Sequence, residues 1–179
     1  MLNTPRLTLR PVHLGDCAAL MAIFGDAEVM RYGDGVQDAT WIEQWVRRQR
    51  HQEQEWGFGV YGVVERQQRQ LIGYCGLFAF PDVAGQPEIE IGYRLARSAW
   101  ERGYATEAAQ AVCSYAFEIL TLPRLIAMID PHNQASIRVA TKLGMRYDRE
   151  VMFEGYSHPD HVYLLHAHEY HPPLAPGAR

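Results

Sequence analysis

The chain has 179 residues, 47% hydrophobic and 11% aromatic, enough for one sizeable core and short for two, so a single domain over residues 1–179 is expected. Seventeen basic against twenty-one acidic side chains leave a net charge of −4, which excludes a general electrostatic attraction to nucleic acid. Cys17, Cys75 and Cys113 are odd in number and widely spaced, which excludes a disulfide framework or a CxxC zinc site, and no run of about 18 apolar residues is present; a soluble, cytoplasmic protein without a membrane partner is expected.

In chain order, "RLTLRPV" alternates Leu7 and Leu9 against polar neighbours and reads as a strand. Gly15 and Asp16 open a helix through Phe24, and a second helix over about 39–54 carries Trp41, Ile42, Trp45 and Val46 on one side. Three strands follow, "GFGVYGVVER", "QLIGYCGLFAF" and "EIEIGYRLA", whose short connections predict an antiparallel meander. A helix over about 105–120 repeats apolar residues from Ala105 through Ala108, Ala109 and Val112 to Leu120, and Pro123 stops it. "RLIAMI" is then a strand reached by a helical crossover, parallel to the strand before the helix. Asn133 or Ser136 begins another helix ending at Gly144, and "MRYDREVMFE" with "HVYLLHAHEY" forms a closing hairpin. The order β-α-α-β-β-β-α-β-α-β-β predicts a mixed α/β fold: a twisted mixed sheet of about seven strands with helices on both faces.

Three constellations could carry chemistry. In "WERGYATEAAQ" Arg102 and Gly103 precede a helix start, where unpaired N–H groups and the positive end of the helix dipole make either an ordinary capped turn or an anion seat. It is neither GxxxxGK[ST] nor GxGxxG, so neither a nucleotide triphosphate nor a Rossmann dinucleotide is supported. In "EIEIGYRL", Glu88, Glu90, Gly92 and Arg94 share one face; this is either a solvated face or a cleft in which a desolvated carboxylate serves as a general base. In "DPHNQAS", Asn133 can cap a helix and Ser136 lies in its first turn, and both can also meet a ligand. His166 and His168 would share a strand face at metal-binding spacing, but a solvated face is the simpler account and no metal is expected.

Together these segments resemble the GNAT N-acetyltransferase superfamily and, within it, the RimJ/RimL-like branch of ribosomal-protein N-terminal acetyltransferases, over about residues 4–168. "TPRLTLRPV" is similar to that branch's opening strand, "DAEVMRYGDG" to its loop after the first helix, "EIEIGYRLARSAWERGYATEA" to its cofactor strand and turn, and "DPHNQASIRVATKLGMRY" to its next strand and helix. The resemblance implies a GNAT-like three-layer fold and acetyl-CoA as acyl donor. Its pyrophosphate would lie on the backbone of Arg102, Gly103, Tyr104, Ala105 and Thr106, its pantetheine beside Tyr93, Arg94 and Leu95, and its distal part near Asn133 and Ser136. It also implies direct transfer, in a ternary complex, to a primary amine on a protein N-terminus or a small molecule. Glu90 would be the base, with Glu88 second; the Tyr93 N–H would hold the oxyanion; and Ser136 would protonate the thiolate, with Tyr104 and Tyr147 in reserve. Two positions depart from the superfamily pattern: Trp100 stands where Gln or Arg is usual, and Ala140 where many members carry a tyrosine. The second departure leaves a non-catalytic acyl-CoA-binding regulatory module as the alternative. A monomer or homodimer is expected.

Overall fold

The computed structural model describes residues 1–172. Its strands are β1 (Leu2–Asn3), β2 (Leu7–Pro11), β3 (Val60–Glu65), β4 (Gln70–Phe80), β5 (Glu88–Leu95), β6 (Arg124–Ile129), β7 (Arg146–Val151) and β8 (Asp160–His166); its helices are α1 (Cys17–Phe24), α2 (Ala39–Trp56), α3 (Tyr104–Ser114) and α4 (Gln134–Lys142). The strands form one eight-stranded sheet in the order β1-β2-β3-β4-β5-β6-β8-β7. The strand beyond the expected seven is β1, a two-residue edge pairing Leu2 with Leu9, too short to show any alternation.

Period-two alternation sends each central strand's residues to two cores. Leu7, Leu9, Val63, Cys75, Leu77, Ile91 and Leu95 face α3 and α4, while Val12, Val60 and Tyr74 face α1 and α2. On the second side Phe24, Trp45 and Tyr74 form an aromatic cluster with ring centroids 4.9 to 5.5 Å apart. α2 starts where Asp38 accepts the Trp41 N–H at 2.8 Å and stops at the left-handed Gly57. The helix read over 105–120 is α only to Ser114; a π-helical turn over Tyr115–Ile119 completes it.

Within the sheet, β5 pairs with β4 in antiparallel register from Glu88↔Phe80 to Leu95↔Gly73. Its other edge meets the parallel β6 at one position only, Glu90↔Ile126. The two strands form no second register pair, so most of that edge of β5 has no ladder partner among the described residues. No helix among the described residues is long and apolar enough to cross a membrane.

The closing hairpin forms as expected, but His166 is the last residue of β8 and His168 lies in a 3-10 turn over Ala167–Glu169, where the two rings stack at 5.3 Å. They are not neighbours on a strand face. Of the tail "HPPLAPGAR", residues 173–179 lie outside the described residues.

Candidate active site

Both carboxylates of β5 point to the same side, yet their surroundings differ. Glu88 is buried, and its oxygens accept from Arg124 Nε at 3.0 Å, Arg149 Nη2 at 3.1 Å and Gln86 Nε2 at 3.1 Å. Its oxygens are taken up by two guanidinium groups and an amide, so Glu88 is corrected from reserve base to structural ion pair. Glu88→Gln is expected to cost about 2 kcal/mol, because two partly buried guanidinium groups would lose their counter-charge; urea denaturation would measure it.

Glu90, two residues on, stands where β5 and β6 part. Its Oε1 accepts the Met128 N–H from β6 at 2.9 Å, and it touches no cationic side chain at ion-pair distance among the described residues. Burial pushes its carboxyl up to about 7, with Asp160 adding to the rise, against the opposing pull of the Met128 N–H and the Arg94 charge. A carboxylate with that pKa can take a proton near neutral pH and release it again.

Tyr93 points to the opposite face and donates its hydroxyl to the Ser136 carbonyl at 3.1 Å, tying β5 to the first turn of α4. Burial raises its phenol well above the usual range. Asn133 is the N-cap of α4: its Oδ1 accepts the Ser136 N–H at 3.1 Å, which leaves the other half of the amide for a ligand. The Ser136 hydroxyl makes no hydrogen bond among the described residues. Ala140 is fully buried in the main core and carries no hydroxyl. Tyr104 is buried too, and Tyr147 sits on the sheet's outer strand against His161 and Tyr163. Neither reserve belongs to this site.

The turn into α3 is not capped by a side chain. Its N-cap is Gly103, left-handed at φ 77°, with no side chain to cap anything. Glu101 is also left-handed, at φ 58°, a costly conformation for a residue with a Cβ. Among the described residues, the N–H groups of Arg102 through Thr106 have no protein acceptor; the first helical bond runs from Glu107 N–H to the Gly103 carbonyl at 3.0 Å. Trp100 has a structural task, its indole N–H donating to the Leu95 carbonyl at 2.8 Å and fastening the turn to the end of β5.

Arg6 was not found from sequence, and it braces this turn. Its Nη1 donates to the Arg102 carbonyl at 2.8 Å, its Nε donates to Glu107 at 2.6 Å, and its guanidinium covers the Tyr104 ring at 4.6 Å. The partners are about a hundred residues apart in the chain, so no local pattern announces them. A groove of about 840 Å³ adjoins the turn and includes Gly103, Thr106, Gln110 and Lys142 in its walls. Arg6→Ala is expected to weaken binding of an anion at the turn about fivefold, the effect of losing one charge-assisted brace; calorimetric titration with coenzyme A would show it.

Over the polar face of β5, three loops meet. The Tyr32 hydroxyl donates to the His132 carbonyl at 3.2 Å, the Tyr156 hydroxyl to Asp34 at 3.1 Å, and Asp130 lies 3.0 and 3.1 Å from ring nitrogens of His132 and His158. Asp130, His132 and His158 bring donor atoms within 4.8 Å of one another, but each aspartate oxygen already faces one histidine, which makes the trio a clasp between loops.

Known proteins resemble this chain over most of its length. The family model for the acetyltransferase (GNAT) domain matches residues 6–146. YkkB of Bacillus subtilis (strain 168) is 36% identical over 151 residues, 84% of this chain and 87% of that protein. YoaA of the same organism, named as an uncharacterized N-acetyltransferase, is 32% identical over 175 residues, 92% of this chain and 96% of its own. Among solved structures, a GNAT-family acetyltransferase from Bacillus anthracis superposes with a TM-score of 0.81 at 26% identity, over 94% of this chain and 99% of that one. An open β5–β6 edge beside an uncapped, left-handed entry to α3 is thus found in a chain that belongs to the GNAT acetyltransferase family.

Proposed function

We propose that this chain, an acetyl-CoA-dependent acetyltransferase by family, transfers the acetyl group directly to a primary amine in a ternary complex, with Glu90 as the base. The observation that carries it is the placement of Glu90: a carboxyl raised to about 7, at the single pairing point of β5 and β6, beside an unpaired strand edge. The donor's fit rests on the uncapped turn, where the free N–H groups of Arg102, Gly103, Tyr104, Ala105 and Thr106 would hold the pyrophosphate. Its pantetheine amides would pair with the open edge at Tyr93, Arg94 and Leu95 and with the Asn133 amide. Bound there, acetyl-CoA supplies an activated acyl carbonyl.

In this scheme Glu90 takes a proton from the acceptor ammonium, which at a pKa of about 8 to 10 is mostly protonated at neutral pH. The Tyr93 N–H steadies charge developing on the carbonyl oxygen. As the new C–N bond forms and the C–S bond breaks, the nitrogen's second proton passes to the sulfur through the Ser136 hydroxyl, directly or through water, and Glu90 later releases the first to solvent. The acceptor is a protein N-terminus, as in the RimJ/RimL-like branch, or a small-molecule amine. The solved spermidine N-acetyltransferase of Vibrio cholerae, in complex with CoA and spermine, shares the fold at 17% identity and a TM-score of 0.76, which supports the fold alone.

Calorimetric titration with acetyl-CoA, followed by a free-thiol release assay over a panel of amines and N-terminal peptides, tests the proposal. Binding with amine-dependent thiol release is the expected result; binding without release for any acceptor would point to a non-catalytic acyl-CoA-binding module instead.

A further inference from the structure

Four arginines among the described residues are not fully exposed. Three are matched by carboxylates: Arg10 by Asp16 at 2.7 Å, Arg124 by Glu88 at 3.0 Å and Arg149 by Glu88 at 3.1 Å. The fourth, Arg94, has no carboxylate at ion-pair distance among the described residues. Its Nη1 donates to the Met30 Sδ at 2.8 Å, a weak acceptor, and its Nη2 lies so close to Gly33 that a Cβ there would stand 2.7 Å away. Gly33 is what lets the loop after α1 close over the guanidinium. Leaving a half-buried guanidinium without an anion beside it is unfavourable, and an anionic ligand would relieve that cost.

Its location says which ligand. Arg94 lies on the same face of β5 as Glu90, with Gly92 between them. That face looks away from α3, which packs on Ile91 and Leu95, so the guanidinium is turned away from the uncapped turn. The loop holding Met30 and Gly33 is the one whose Tyr32 and Asp34 meet His132 and Tyr156, so Arg94 and Glu90 share one roof. Of the nearby acids, Asp26 is paired with Arg97 at 2.7 Å and Asp130 faces its histidines, while Asp34 accepts from the Tyr156 hydroxyl and is not at ion-pair distance from Arg94. Asp160 interacts with Glu90, at the other end of the face.

We propose that Arg94 seats an anionic group of the acceptor, so that the substrate class is a primary amine carrying a carboxylate on the same molecule, amine toward Glu90 and carboxylate toward Arg94. The planar guanidinium fork matches a carboxylate in two parallel hydrogen bonds. Glu90 and Arg94 are four residues apart on one face of the strand, with the Phe78 ring over Gly92 between them, so amine and carboxylate stand several bonds apart. ω-Amino acids and short peptides fit this spacing better than α-amino acids.

The inference rests on the acetyl-transfer function proposed above, and its test has two arms. Thiol release with acetyl-CoA is measured for matched pairs, 6-aminohexanoate against 6-aminohexanamide and glycylglycine against its amide, and the ratio of kcat/KM within each pair is read. The native chain is expected to favour the carboxylate about tenfold; Arg94→Gln should bring the ratio near one, and Arg94→Lys should restore part of it. Taking the ratio cancels any loss common to both acceptors, including one from imperfect folding. In the second arm, hexanoate, which has no amine, is titrated calorimetrically into the CoA-saturated protein, and Arg94→Gln should abolish its binding. A ratio near one or below in the native chain, or one unchanged by Arg94→Gln, together with hexanoate binding that ignores Arg94, overturns the seat while leaving acetyl transfer standing. Arg94-dependent hexanoate binding without thiol release from any amine supports the seat and overturns the transfer function.

Discussion

Replacing Glu90 by glutamine is expected to lower turnover by about 10²- to 10³-fold, leave acetyl-CoA affinity nearly unchanged, and make the protein more stable. The amide is of the same size and can still accept the Met128 N–H, so the junction of β5 and β6 keeps its geometry. What is lost is the proton acceptor. In the native chain kcat/KM should rise with pH through about 7 as the carboxyl ionises, then level off until the acceptor ammonium itself titrates. That rising limb should be missing from Glu90→Gln.

The stability effect has the opposite sign to that of most active-site losses. Below the ordinary carboxyl value of 4.5, Glu90 is protonated in folded and unfolded chains alike and has no differential effect. As pH rises the unfolded chain ionises first, so folding weakens progressively, and above about 7 the full penalty of roughly 3 kcal/mol applies. Glu90→Gln lacks that penalty. Its Tm should exceed the native value at pH 8, with the difference closing toward pH 4, as thermal denaturation at several pH values would show. Higher Tm with lost turnover marks a residue kept for chemistry at a cost to the fold.

Gly103→Val is expected to raise the Kd for acetyl-CoA by at least about tenfold and to cost about 1 to 2 kcal/mol of stability. Gly103 holds φ at 77°, where a Cβ is strained, and that Cβ would also lie 3.4 Å from Arg6 Nη2, crowding the brace on the turn. A branched side chain at this position would stand beside the N–H groups that have no acceptor. Gly103→Ala separates the two effects: it brings most of the strain with little of the bulk, so its stability loss should be similar and its loss of affinity smaller. Calorimetric titration and urea denaturation of both variants would check this. If both bound acetyl-CoA as the native chain does, the pyrophosphate seat would have to be placed elsewhere.

Much of the fold was legible in the sequence because its signals are local. Alternation in β5, the apolar repeat of α3, Asn133 at the start of α4 and Gly144 after its end lie within a few residues of what they determine. The site was legible only as a set of residue types. Glu88 and Glu90 share a strand, a face and a side chain; they differ in that Arg124 and Arg149 reach the first, while only the Met128 N–H reaches the second. Those partners lie 36 to 61 positions away. Arg6 over α3 and Met30 under Arg94 escaped notice for the same reason, since long-range packing leaves no periodicity behind. Ala140 is buried in the core and carries no hydroxyl, so the thiolate's proton donor rests on the proposal for Ser136.

A crystal structure with coenzyme A bound tests the central claim most directly. The expected result places the pyrophosphate on the N–H groups of Arg102 to Thr106, the pantetheine along the open edge of β5, and the sulfur between Glu90 and the first turn of α4. A pyrophosphate bound away from the Gly103 turn, or a sulfur remote from Glu90, would contradict it.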